Sequence, residues 1–233
     1  MTKSDVRLKV VVPTLSLTRA NAFLGMLDCG SRLPNSVEIM TSNIDVSQCL
    51  GQSRKINKRV WVTINEDVEG VNPWWNRAIE CAVNHNDCDV LLIMNDDVLV
   101  SEFYIEKMLQ ATPYLAHHGI IVPRVTSAEG RFMRFIEDTE CKLVPRTKRC
   151  GCAFMLDKKF ISMAPSIPKT LKFFYGDDWL WFWAEKLLYT PAENQSTLIY
   201  HEVGGTTRTD VDRFRMIRKA EGKVYRELVN NNK

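Results

Sequence analysis

The chain of 233 residues contains no apolar run approaching the roughly 20 residues needed to span a bilayer, and its opening, MTKSDVRLK, has no apolar leader core. Both absences set the expectation of a cytoplasmic protein without a membrane span. A C-x-x-C pair is also missing. The seven cysteines, at 29, 49, 81, 88, 141, 150 and 152, are odd in number and irregular in spacing, which argues for reduced thiols and against a disulfide framework or a structural zinc. Cys81, His85 and Cys88 lie close together but match no familiar zinc spacing. No internal repeat or low-complexity segment occurs. Net charge is only +3, so no strong overall charge selects a partner; the excess is local. Residues 208–233 hold eight Lys/Arg against four Asp/Glu, a surplus of four, leaving about −1 for the rest.

What is present fits one α/β domain: 45% hydrophobic and 25% charged residues, with length enough for a single sizeable core. Val6 to Val12 is rich in β-branched residues and reads as a first strand; Pro13, Thr14, Ser16 and Thr18 make a loop into a helix near Arg19. Strands are expected at 37–40, 60–64 and 90–94, the last of them fully apolar, with helices at 74–83, entered through Pro73, and 101–110. This alternation predicts a mostly parallel, doubly wound sheet, whose ligands bind beyond the strand C-termini. The second half is less regular, with strands expected at 120–122, 153–156 and 197–200 and an aromatic helix near 177–188.

Three stretches bear chemistry. LLIMNDDVLV ends its oily strand in Asn95, Asp96 and Asp97. Adjacent carboxylates there are either a polar turn capping the next helix or hard oxygen ligands for Mg²⁺ or Mn²⁺ beside a substrate diphosphate. FFYGDDWLWFWAEK places Asp177 and Asp178 at a helix start among bulky aromatics, where one is suited to capping and the other to acting as a base. LIYHEVGGTTRTD ends a short strand in His201, either structural or a metal ligand, before Gly204 and Gly205 in a loop suited to folding over a ligand.

Taken in order, these pieces resemble the inverting, GT-A fold glycosyltransferases that use nucleotide-sugar donors, over about residues 8–207. VVVPTLSLTR resembles that family's opening strand and turn, NPWWNRAIECAV the helix before its acidic motif, and IMNDDV the Asp-x-Asp type motif, with Asn95 in first position and Asp97 in last. RCGCAFMLDKKF is similar to the small-residue strand beside the acceptor, FFYGDDWLWFWAEK to the acidic motif carrying the base, and IYHEVGGTT to a late His-Gly segment. The resemblance implies Asp178, beside Asp177, as catalytic base; Asp97, Asp96 and His201 at an Mn²⁺ or Mg²⁺ ion; Pro13, Thr14, Asn43, Asn76, Arg77, Asn95, Asp96 and Arg208 on the donor, expected to be a UDP-sugar; and Cys152, Tyr175 and Trp179 on the acceptor. Its domain would run over 1–207, divided near 110 into nucleotide-sugar and acceptor halves, with 208–233 as a basic tail. Asn95 departs from the family's usual aspartate, 40–43 lack the aspartate that often grips uracil, and Leu180 stands where another acidic residue often follows.

The acceptor is least legible. Arg208, Arg213, Arg215, Arg218 and Lys219 suit a polyanion such as a hydroxymethylated base of viral DNA, whereas Phe214, Ile217, Val224 and Leu228 give an amphipathic helix whose charges simply face water. A nucleotidyltransferase acting on a sugar phosphate is the alternative enzyme class, but the glycine-rich, lysine-containing loop such enzymes carry after the first strand is absent from VVPTLSLTR. A non-catalytic nucleotide- or DNA-binding module is the remaining class.

Overall fold

The computed structural model describes residues 6–51, 55–85, 88–132, 140–146, 149–202 and 210–232. In chain order its elements are β1 (Leu8–Pro13), α1 (Leu17–Asp28), β2 (Ser36–Thr41), β3 (Val60–Ile64), α2 (Asn72–Asn84), β4 (Val90–Met94), β5 (Val98–Leu99), α3 (Tyr104–Gln110), α4 (Thr112–His118), β6 (Ile120–Thr126), α5 (Glu129–Phe132), β7 (Leu143–Pro145), β8 (Ala153–Asp157), α6 (Lys158–Met163), α7 (Gly176–Lys186), β9 (Ala192–His201) and α8 (Val211–Asn231).

Among the described residues these strands form one nine-stranded sheet in the order β3-β2-β1-β4-β8-β6-β9-β5, with β7 beside β9. The first four are parallel, as a strand–helix alternation requires. Every residue of β1 and β4 is buried, because helices cover both faces of a central parallel strand. β3 is an edge strand and leaves Trp61 and Ile64 exposed. The second half departs from the expected mostly parallel sheet: β8 runs antiparallel to both β4 and β6, β5 and β7 run antiparallel to β9, and only β6 and β9 pair in parallel. The sheet is therefore mixed. A register shift between Pro123 and Arg124 of β6, which face Asn194 and Leu198, leaves residues 195–197 of β9 as a bulge against β6.

Local chemistry explains the helix starts near the cleft. Ser16 caps α1 by accepting from the Arg19 amide, and Pro73 stands in the first turn of α2, where its missing N–H costs nothing. Helix α8, in the segment expected as a tail, lies against the domain and buries Glu221, Gly222 and Tyr225. Among the described residues no helix is long and apolar enough to cross a membrane.

Candidate active site

Strand direction brings distant residues to one edge. β1 and β4 deliver their C-terminal ends there; β8, antiparallel to β4 with Ala153 opposite Met94, delivers its beginning; and β9, parallel to β6, delivers its end. Along that edge lies a cleft of about 1210 Å³ lined by Pro13, Thr14, Asn95, Asp96, Asp97, Cys150, Gly151, Cys152, Asp177, Asp178 and His201.

The two adjacent aspartates are divided in their partners. Asp96 accepts from the Thr14 hydroxyl at 2.5 Å and from the Arg19 guanidinium at 3.4 Å, tying the β4 end to the loop after β1. Burial raises its pKa, and these two donors only partly offset that. Asp97 instead faces His201, pinned opposite it by the β5–β9 register and by the Glu202 amide donating to the Asp97 carbonyl. Asp97 Oδ1 and His201 Nε2 approach to 3.2 Å, yet that oxygen is buried without a properly aligned hydrogen bond. The approach is thus one of proximity without hydrogen-bond alignment. Burial opposes charge on His201, but the neighbouring Asp97 outweighs it and raises the imidazole's pKa. The helix-capping reading of Asn95-Asp96-Asp97 is corrected: α3 begins only at Tyr104, behind Phe103, with no side-chain cap bond.

A buried carboxylate oxygen without a partner beside an imidazole nitrogen is a donor set that a divalent cation fits, and Mn²⁺ accepts both atom types. No cluster of three or more His, Cys, Asp or Glu side chains suited to a metal occurs among the described residues. Two protein ligands leave most of a six-coordinate shell to substrate oxygens and water.

Across the cleft, α7 opens with both acidic residues in its first turn, where the helix dipole favours negative charge. The capping position is taken by Tyr175, in left-handed backbone (φ 60°, ψ 10°), without a side-chain cap bond. Asp178 accepts from Arg149 at 2.5 Å. Asp177 turns against Gly151, where a Cβ would stand 3.0 Å from its Oδ2, so a larger residue at this position in RCGCAF would crowd the carboxyl. Burial first, then the charge of Asp178, raises the Asp177 pKa from the ordinary 3.8 to about 7.

The consequence is a pH-dependent stability. A carboxyl whose pKa is raised by folding holds its proton in the native state while the unfolded chain has lost it, so stability falls as pH rises from about 4 to about 7 and levels off above. At about 1.4 kcal/mol per pH unit the loss is on the order of 4 kcal/mol at most. Asp177→Asn is expected to melt roughly 5–10 °C above the parent at pH 8, with the gap closing toward pH 4.5 in paired melting curves. A constant gap at all pH values would contradict this account.

Of the other residues singled out in the sequence, Cys152 and Tyr175 line the cleft. The Cys150 and Cys152 sulphurs lie 3.4 Å apart, just before β8. Asn43 is not among the residues lining the cleft; its amide donates to the carbonyl of Leu15, which is. Asn76 and Arg77 stand apart from the cleft lining: Asn76 exchanges two hydrogen bonds with the Ile167 backbone, and Arg77 is exposed. Trp179 is buried, and its indole N–H donates to the Pro165 and Ser166 carbonyls. Arg208, with Gly204 and Gly205, falls outside the described residues. Ser42 and Glu66, polar residues just past the ends of the neighbouring strands, and Arg19 and Arg149, which hold the two aspartates, join the cleft without having been site candidates. Position at a strand's C-terminal end is the signal for Ser42 and Glu66, and Arg149 belongs to a basic cluster with Arg146 and Lys148 that suits phosphate, but no local pattern ties either arginine to its aspartate.

No protein-family model and no curated protein matches the sequence. Solved structures do match in fold. S. aureus TarS is 14% identical with a TM-score of 0.63 over 91% of this chain and 39% of its own. Mannosyltransferase PcManGT from Pyrobaculum calidifontis, in complex with GDP-Man and Mn²⁺, is 13% identical with a TM-score of 0.61 over 91% of this chain and 61% of its own. Glucosyl-3-phosphoglycerate synthase from Mycobacterium tuberculosis, in complex with Mn²⁺, UDP and glucosyl-3-phosphoglycerate, is 11% identical with a TM-score of 0.58 over 92% and 81%. A shorter TarS structure, residues 1–349, binds UDP-GlcNAc; this chain spans about three fifths of it. The chain has the GT-A fold of these glycosyltransferases.

Proposed function

We propose that the protein is a nucleotide-sugar-dependent glycosyltransferase that transfers a sugar to an acceptor hydroxyl with inversion, assisted by a divalent cation. The observation that carries this reading is the meeting of Asp97 and His201 on one wall of a cleft whose facing wall presents Asp177 and Asp178. Neighbours in fold that hold UDP-GlcNAc, UDP or GDP-Man, two of them with Mn²⁺, support it.

In this reading the donor enters beyond β1 and β2, against Pro13, Thr14 and Ser42, with its diphosphate toward Asp97 and His201. Those two residues hold Mn²⁺ or Mg²⁺, which supplies positive charge for the departing nucleoside diphosphate. Asp96, fastened by Thr14 and Arg19, fixes the loop that carries the donor. Asp178 accepts the proton of the acceptor hydroxyl as that oxygen attacks the anomeric carbon, and Arg149 orients its carboxylate. A single base opposite the leaving group gives inversion. Asp177, with a pKa of about 7 in a drier setting, is the proton-holding partner of this carboxylate pair.

The test is a thermal-shift panel of nucleoside diphosphates and nucleotide-sugars with and without Mn²⁺, since a ligand of the native state must raise its melting temperature. UDP or another diphosphate together with Mn²⁺ is expected to shift the transition, whereas Mn²⁺ alone shifts it little, because the protein supplies only two ligands. No shift with any nucleotide would overturn the reading.

One observation favours a narrower acceptor. Between Val211 and Asn231, α8 exposes six cations (Arg213, Arg215, Arg218, Lys219, Lys223 and Arg226) against two exposed acids, Asp212 and Glu227. Arg213 and Arg218 reach the cleft lip beside Phe173, Phe174 and Phe214. Such a lip suits a polyanion presenting a flat ring, such as a hydroxymethylated base of DNA. The affinity for a hydroxymethylated duplex is then expected to fall at least tenfold between 50 and 200 mM salt; a flat salt dependence would remove DNA as the acceptor.

A further inference from the structure

The acidic start of α7 is aimed by a loop whose backbone is gripped from two sides. Glu221 of α8, 6% exposed, receives four contacts from three consecutive amides. Its Oε1 accepts from Lys172 at 2.9 Å and Phe173 at 3.2 Å, and its Oε2 accepts from Phe174 at 2.8 Å and Phe173 at 3.3 Å. From the opposite side Asn72, the first residue of α2 and fully buried, donates its side-chain amide to the Leu171 and Phe174 carbonyls, both at 3.0 Å. Its backbone N–H donates to the Lys172 carbonyl, also at 3.0 Å. The two side chains stand 149 positions apart in sequence, yet between them they satisfy most of the polar backbone of 171–174.

Close contacts complete the clamp. A Cβ on Gly176 would lie 2.2 Å from Asn72 Oδ1, and one on Gly222 would lie 2.6 Å from the Tyr175 hydroxyl, so both glycines admit the approach. Tyr225 of α8 stacks on Tyr175 at 5.3 Å and donates its hydroxyl to the Asp178 carbonyl. Tyr175 itself is in left-handed backbone, a conformation that a bulky residue keeps only when its surroundings over-determine it. A buried carboxylate accepting three backbone amides from a loop it does not belong to supplies that over-determination.

We infer that Glu221 and Asn72 are positioning residues for the proposed reaction: they set the direction in which the first turn of α7 presents Asp178 to the acceptor. The inference rests on the reading of Asp178 as the base. It also makes α8 part of the active site's support rather than an appended tail, since removing Glu221 takes the acceptor from the amides of 172–174.

Two measurements test it on the full chain. Glu221→Ala is expected to accelerate amide hydrogen exchange at 172–178 while leaving β1 and β4 as protected as in the parent; unchanged exchange at 172–178 overturns the clamp whether or not turnover is detected. The second measures release of UDP from UDP-glucose, or GDP from GDP-mannose, with water as acceptor. Glu221→Gln preserves size but turns one acceptor oxygen into a donor facing an amide. It is expected to lower kcat about 10- to 100-fold, with the KM for the donor and the Mn²⁺-dependent thermal shift within about twofold of the parent. Loss of donor binding in step with kcat would mark a merely structural role and overturn the inference. Asp178→Asn separates the two layers. If it is inactive while Glu221→Gln turns over at the parent rate, only the inference fails; if Asp178→Asn keeps the parent rate, the base reading fails and the inference with it.

Discussion

Asp97→Ala is expected to abolish the Mn²⁺-dependent rise in melting temperature that a nucleoside diphosphate confers, and to lower sugar transfer at least about 100-fold. The apo protein is expected to melt at the parent temperature. Both effects have one cause. Asp97 Oδ1 is buried with no aligned hydrogen bond and only the His201 imidazole near it, so its removal costs the ligand-free fold little. His201→Ala is the companion variant: it leaves Asp97 without its neighbour at 3.2 Å and is expected to weaken the same shift. Differential scanning fluorimetry of the three proteins, with and without UDP and Mn²⁺, decides the matter. A shift that survives in Asp97→Ala would place the diphosphate elsewhere.

Asp178→Asn is expected to lower turnover about 10²- to 10⁴-fold while leaving the nucleotide-induced thermal shift intact. The amide keeps the shape of the carboxylate and loses its basicity, so the donor half of the cleft is undisturbed. The fold should tolerate the change. The Arg149–Asp178 pair is partly solvated, with side chains 39% and 22% exposed, and such pairs contribute no more than about 1 kcal/mol. Asp177→Asn provides the contrast: it alters the pH dependence of stability, because Asp177 is the carboxyl that burial drives toward neutrality. Equal losses of turnover in both variants would show that the pair acts as one unit; loss confined to Asp177→Asn would move the base to that residue.

Much of the first half was legible from local pattern. The apolar run at 90–94 is β4 with the same boundaries, the β-branched opening is β1 within two residues, and Pro73 does begin a helix. These signals are strong because a strand buried on both faces admits only apolar residues and a helix start favours residues that need no N–H partner. The position of Asp177 and Asp178 in the first turn of α7 was equally visible, since the aromatic periodicity of the following turns locates the helix. The irregular second half was read as strands without their directions, because periodicity identifies a strand but says nothing of its partner.

The chain's order of residues by itself determined which strand ends carry acids and that a parallel half built of alternating strands and helices comes first. Tertiary structure alone decided the division of labour among the acids. Asp96 and Asp97 are identical neighbours in sequence, but Thr14 and Arg19, 82 and 77 positions away, claim one and leave the other to His201. Asn76, which the helix motif put on the donor, bonds Ile167, while Asn72, the first residue of the same stretch, grips the loop before α7 together with Glu221. The physical reason is the same in each case: hydrogen bonds and ion pairs are short-ranged and directional, so their partners are chosen by where antiparallel pairing and helix packing bring the chain back, which no local periodicity encodes.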